Sequence, residues 1–269
     1  AGSGGELAIP VRRAGLWGAV AILLGGAFSV LTARQGASHG WVIGQLDHLA
    51  TGWIWAALLL LLYLPALALV CWRSIRAGWR GSEAALLTDV AQLEPLISGR
   101  WTSPDLAAGC LRGTAAGLAL GGGALAVVRL ASERLEVWTQ ASVLLGPWWQ
   151  QSIWPGVSLA FAQAAVCLSY LVFAWVFLLP RLSKALGRPV GVTLVCLLLA
   201  LLLGPPVELL PLGFALPLWL FGLLVPTLLY LRFGLVTAML CTVVSRVVPG
   251  ALPLAQAQDS TLQAQGWLA

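Results

Sequence analysis

The chain has 269 residues, of which 59% are hydrophobic and 9% charged, with 14 tryptophans and a mean hydropathy of +0.91. That composition excludes a soluble globular domain. The net charge of +5 does not point to nucleic acid, because the basic residues stand at the ends of apolar runs and form no patch interleaved with exposed aromatics.

A bilayer core about 30 Å thick takes roughly 20 mostly apolar residues per helical span. Seven such runs predict an all-α, polytopic transmembrane bundle: 15–33, 53–72, 106–128, 157–179, 190–204, 213–230 and 234–248. The first is too long for a signal-peptide core, and the "TARQGASHG" after it is a poor cleavage site, so it reads as a retained helix. Both histidines, His39 and His48, fall in the loop that follows. A surface role is the expectation for them, with a metal or pigment ligand as the outside alternative.

Between the second and third runs, residues 82–98 predict a short amphipathic helix lying on the membrane surface or on a partner. Ser82 caps it, Leu86, Val90 and Leu93 recur at helical spacing, and Pro95 and Gly99 end it. The third run opens with Ser103 as cap and Pro104 in the first turn. It carries Gly113, Gly117 and Gly121 on one face, four apart, which suits close approach of another helix. Trp148, Trp149 and Trp154, in "PWWQQSIWP", read as an aromatic belt at the headgroup level. The last three runs are short and lie among Pro205, Pro206, Pro211, Pro217 and Pro226, which is tolerated where neighbouring helices satisfy the freed carbonyls.

Orientation follows from the Lys and Arg distribution. With the N-terminus inside, eleven of the fifteen are cytoplasmic, and only Arg34, Arg129, Arg134 and Arg246 are external. An N-in, C-out arrangement is therefore expected, in the bacterial inner membrane. The five cysteines sit in apolar runs without CxxC or Cys/His spacing and read as small buried hydrophobes.

Residues 177–188, "FLLPRLSKALGR", read as the cytoplasmic exit of a membrane helix, and 222–240, "GLLVPTLLYLRFGLVTAML", as a helical hairpin closed by "YLRFG". In order and spacing these two pieces resemble the CAAX-protease and bacteriocin-processing family of intramembrane proteases, over Gly156 to Val248. The resemblance implies a glutamate pair at Tyr170 and Leu171, an arginine at Trp175 and a histidine within 197–204. It implies a second histidine at Cys241 or Thr242 and a final polar group at Ser245 or Arg246. Every expected acid and histidine is absent.

Peptide hydrolysis needs a base to activate water and donors for the oxyanion, and neither Tyr170 nor Leu171 is a base near neutral pH. The resemblance thus implies a non-catalytic relative, with an N-terminal membrane region over 1–155, a protease-like bundle over 156–248 and an external polar tail over 249–269. The expected function is a scaffold or accessory subunit of a larger membrane complex, with other membrane-protein subunits and lipids as partners and no nucleic acid. No cofactor is required, although a lipid or pigment suits the vacated site. A carrier of an apolar ligand (lipid, quinone or pigment) is the alternative. An active protease requires Glu208 to meet an external histidine.

Overall fold

The computed structural model describes residues 15–28, 31, 59–81, 103–134, 138–139, 155–203, 209–210, 212–255 and 264. Among these, the long elements are all helical: α1 (Gly15–Phe28), α2 (Leu59–Tyr63 continuing as Leu64–Gly81), α3 (Pro104–Arg134), α4 (Pro155–Leu171 continuing through Val172–Leu178 and Leu179–Leu186), α5 (Arg188–Leu203), α6 (Leu212–Phe233) and α7 (Leu235–Ala255). A two-residue antiparallel ladder pairs β1 (Trp138–Thr139) with β2 (Leu209–Leu210), tying the segment after α3 to the one before α6. Stretches within α3, α4 and α6 (Pro104–Arg134, Gln163–Leu186 and Gly213–Phe233) are long and apolar enough to cross a membrane. The other four helices contain shorter apolar stretches. The amphipathic segment 82–98, both histidines and Trp148, Trp149 and Trp154 lie outside the described residues.

Two helices carry a wide turn ahead of a proline. Leu59–Tyr63 and Val172–Leu178 are π-helical, and Pro65 and Pro180 follow each at the same distance. Proline cannot donate to the carbonyl four residues back, and its ring crowds that carbonyl. Widening the preceding turn to the i→i+5 pattern relieves the crowding without breaking the helix. As a result "FLLPRLSKAL" continues α4 as helix to Leu186, beyond the expected span end at 179.

α4 and α5 are joined by Gly187 alone, and α6 and α7 by Gly234 alone. Their φ angles are +89° and +87°, the only positive values among the described residues. A Cβ there would be strained, so glycine permits each reversal within one residue. Each glycine N–H also closes the preceding turn, Gly187 onto the Ser183 carbonyl and Gly234 onto that of Tyr230.

Side-chain contacts fix the directions. Gly15 faces Trp72 and Gly26 faces Leu64, so α1 and α2 are antiparallel. Gly113 faces Thr237 and Leu240, and Gly121 faces Ser245 and Val248, so α3 and α7 run parallel. Phe214 and Leu218 at the start of α6 pack with Val128 and Ala131 near the end of α3, while Arg112 near the start of α3 stands over Phe233 at the end of α6. These two helices are therefore antiparallel. We call the end holding the starts of α3, α5 and α7 the lower end, and the opposite end the upper.

The core is drawn from every long helix except α3. Ile22, Cys71, Leu171, Trp175, Val195, Leu199 and Leu223 are all at most 3% exposed. α3 lies against the side of this core. It meets α7 through its glycines and leaves Leu111, Leu118 and Leu130 exposed, an arrangement suited to lipid rather than water.

Candidate apolar binding cavity

The expected catalytic positions fall in two places. Leu171 and Trp175 are fully buried in the central core, and the Tyr170 hydroxyl shares a 2.9 Å hydrogen bond with that of Tyr63 on α2. Cys241 and Thr242 lie on α7, where Cys241 presents its carbonyl to Gly117 of α3 and Thr242 lines a cavity described below.

A small polar cluster surrounds Trp175. Its indole N–H donates to Thr227 Oγ1 at 3.1 Å, and its ring stacks on Tyr230 at 5.4 Å. Thr227 also donates to the Leu223 carbonyl and accepts from the Cys196 thiol. A hydroxyl has one proton to give and two lone pairs to offer. All three are engaged here, so the Thr227 hydroxyl is saturated and ties α4, α5 and α6 together.

A cavity of about 340 Å³ opens in the upper half of the bundle. It is walled by residues of α3 from Ala119 to Val128, of α6 from Ala215 to Leu223 and of α7 from Thr242 to Pro249. α3 and α6 are pinned to each other above it, by Val128 and Ala131 against Phe214 and Leu218, and below it, by Arg112 on Phe233. Two glycines keep it open. Gly123 and Gly222 both line it, and a Cβ built on either meets nothing within 4 Å. Val127 and Phe221 line it too and are 43% and 56% exposed, which places the mouth on the outer apolar surface.

The polar residues in the wall are turned toward the protein. Thr242 donates to the Ala238 carbonyl and Ser245 to that of Thr242, so both protons are spent on the helix itself. Trp219 also lines the cavity, and its indole N–H is buried with no partner among the described residues. Arg246 donates through Nε to Gln163 Oε1 at 3.1 Å and through Nη2 to the Leu203 carbonyl at 2.8 Å.

No family model, curated protein or solved structure matches the chain.

Arg246, which the sequence reading counts among the external cations and which falls within the expected run 234–248, stands toward the upper end of α7. α7 extends past 248 to Ala255, and Arg246 lies within it, part-buried between α4 and α5. The physical reason is the end of α5. Its last carbonyls have no helical donor, and the C-terminal pole of a helix favours a cation. No local pattern in "SRVVPG" reveals this, because the partners are distant in sequence. The cavity was equally hidden, although Gly122 and Gly123 following directly on Gly121 did mark a place where α3 lacks side chains.

Proposed function

We propose that the chain is a non-catalytic integral membrane protein that holds an apolar molecule, such as a lipid chain, quinone or pigment, in the cavity between α3, α6 and α7. The observation that carries this reading is the cavity itself: about 340 Å³, with a mouth on the apolar surface and with the Thr242, Ser245 and Arg246 side chains in its wall donating to protein partners. Ligand sites typically occupy about 300–1,000 Å³ and are mainly apolar. Dry apolar cavities recruit apolar guests because water gains too few hydrogen bonds inside them.

In this proposal all seven helices cross the membrane, with the N-terminus inside, the C-terminus outside and the lower end cytoplasmic, in a bacterial inner membrane. The positive-inside tendency supports that orientation. Among the described residues, eight basic ones lie toward the lower end (Arg73, Arg76, Arg80, Arg112, Arg181, Lys184, Arg188 and Arg232), against Arg129, Arg134 and Arg246 toward the upper. The likeness to CAAX-type proteases enters as ancestry of the frame. The fully engaged Thr227 and the aromatic stack at Trp175 support a structural use of the position where that family places an arginine.

A scaffold role in a larger complex draws less support from the geometry. The glycine face that suits helix pairing is occupied by α7 of the same chain. The two readings separate on purification. The chain is extracted in mild detergent from its native membrane, and bound molecules are identified by native mass spectrometry and organic extraction. The cavity reading expects one apolar compound at near one per chain, lost in Gly222→Leu and Gly123→Leu variants that retain helical content. Stoichiometric protein partners with no retained apolar compound would establish the scaffold role instead.

A further inference from the structure

A second opening lies at the lower end, between the first turns of α5 and the last turns of α6. It is an open groove lined by Arg188, Pro189, Val192, Leu228, Leu231 and Arg232. Arg188 and Arg232 are exposed, and Leu228, which shares the groove, is 50% exposed. A third cation is close by: Arg112 and Arg232 both stand over the Phe233 ring, at 5.3 and 5.2 Å.

Among the described residues, negative charge is scarce around this groove. Between residues 155 and 255 the only acid in the sequence is Glu208, five residues after the last residue of α5 in the chain. Among the described residues the only acid toward the lower end is Asp105, in the first turn of α3. The one ion pair among them, Arg129 with Glu133, is near the upper end of α3. Like charges that share a groove repel, and an anion placed between them removes that cost.

We propose that this groove binds the headgroup of an anionic phospholipid. A guanidinium fork matches phosphate with two parallel hydrogen bonds, which suits Arg188 and Arg232 at the rim. The remaining wall, Val192, Leu228 and Leu231, is hydrocarbon and offers a surface to the acyl chains. A soluble anion has no use for that wall. Basic pockets between membrane helices on the cytoplasmic side commonly hold such headgroups, since that leaflet carries the anionic lipids. The site is separate from the upper cavity and does not depend on what that cavity holds.

The test uses the full chain in detergent, reconstituted with phosphatidylglycerol or phosphatidylcholine of matched acyl chains and examined by native mass spectrometry. Wild type is expected to retain phosphatidylglycerol in preference. Each basic residue near a membrane surface contributes enough to change retention roughly five-fold. Arg188→Gln should therefore lower it by about that factor, and the Arg188→Gln/Arg232→Gln double variant by about 25-fold. Both side chains are exposed, so the helical circular-dichroism signal should be unchanged. Arg129→Gln, toward the other end, should leave the preference intact. Equal retention of the two lipids by wild type, or an undiminished preference in the double variant, overturns the proposal. So does displacement of phosphatidylglycerol by inorganic phosphate at equal concentration, which would mean that the groove reads the anion alone.

Discussion

The guanidinium of Arg246 donates to the main-chain carbonyl of Leu203, the last residue of α5, at 2.8 Å. Through its second bond, to Gln163, the same side chain reaches α4, so one charge on α7 joins three helices. Removing it leaves a terminal carbonyl and a side-chain amide without this donor in an apolar setting. An unsatisfied buried group costs about 1–3 kcal/mol, although interhelical bonds in membranes average nearer ~0.6 kcal/mol. Arg246→Ala should therefore destabilise the bundle by about 2 kcal/mol in reversible SDS unfolding. Arg246→Lys should recover part of that, since an ammonium reaches only one partner well. A loss under about 0.5 kcal/mol would mean that the cap contributes little.

The glycines of α3 divide into two kinds. A Cβ on Gly113 would lie 2.5 Å from the Thr237 carbonyl oxygen and 3.1 Å from its Cα, both backbone atoms that cannot rotate away. One on Gly122 would meet nothing within 4 Å. Gly113→Ala should force α3 from α7 and cost about 1–3 kcal/mol, as overpacking does. Gly122→Ala should be neutral or stabilise by up to ~1 kcal/mol, because alanine favours the helix. The two variants differ by one methyl each, so their order in thermal unfolding tests the α3–α7 interface directly.

Trp175 and Thr227 hold α4 to α6 through a 3.1 Å bond. A double-mutant cycle with Trp175→Phe and Thr227→Val should give a coupling energy of about 0.5–1.5 kcal/mol. Thr227→Val alone should cost more than the coupling, since it also removes the acceptor of the Cys196 thiol. Coupling near zero would show that the cluster is packing without a working hydrogen bond.

Helical class was readable from hydropathy, and each of the seven apolar runs overlaps a helix among the described residues, three of them with stretches long and apolar enough to cross a membrane, because continuous apolarity is a local requirement. The hairpin was readable with a five-residue turn, "YLRFG", whereas the structure keeps Tyr230 to Phe233 helical and reverses at Gly234 alone. The π-helical turns before Pro65 and Pro180 were not, because the proline predicts a disturbance without saying whether the helix breaks or widens. Thr227 and Arg246 gave no local signal either. Each is satisfied by partners on other helices, and such pairings become visible only once the helices are placed.

The parallel course of α3 and α7 makes a prediction about the two ends of the chain. α3 starts at the lower end and α7 finishes at the upper, so in the proposed membrane arrangement the start of α3 and the end of α7 face opposite sides. Reporter fusions within 82–98 and at the C-terminus should therefore give opposite compartments, with 82–98 cytoplasmic. Opposite results with the signs exchanged would invert the orientation and leave the helix directions intact. The same compartment for both would require an even number of crossings between the two points. That count cannot be reconciled with α3 and α7 lying side by side in the same direction, so the outcome would count against the packing of Gly113, Gly117 and Gly121 on α7 itself.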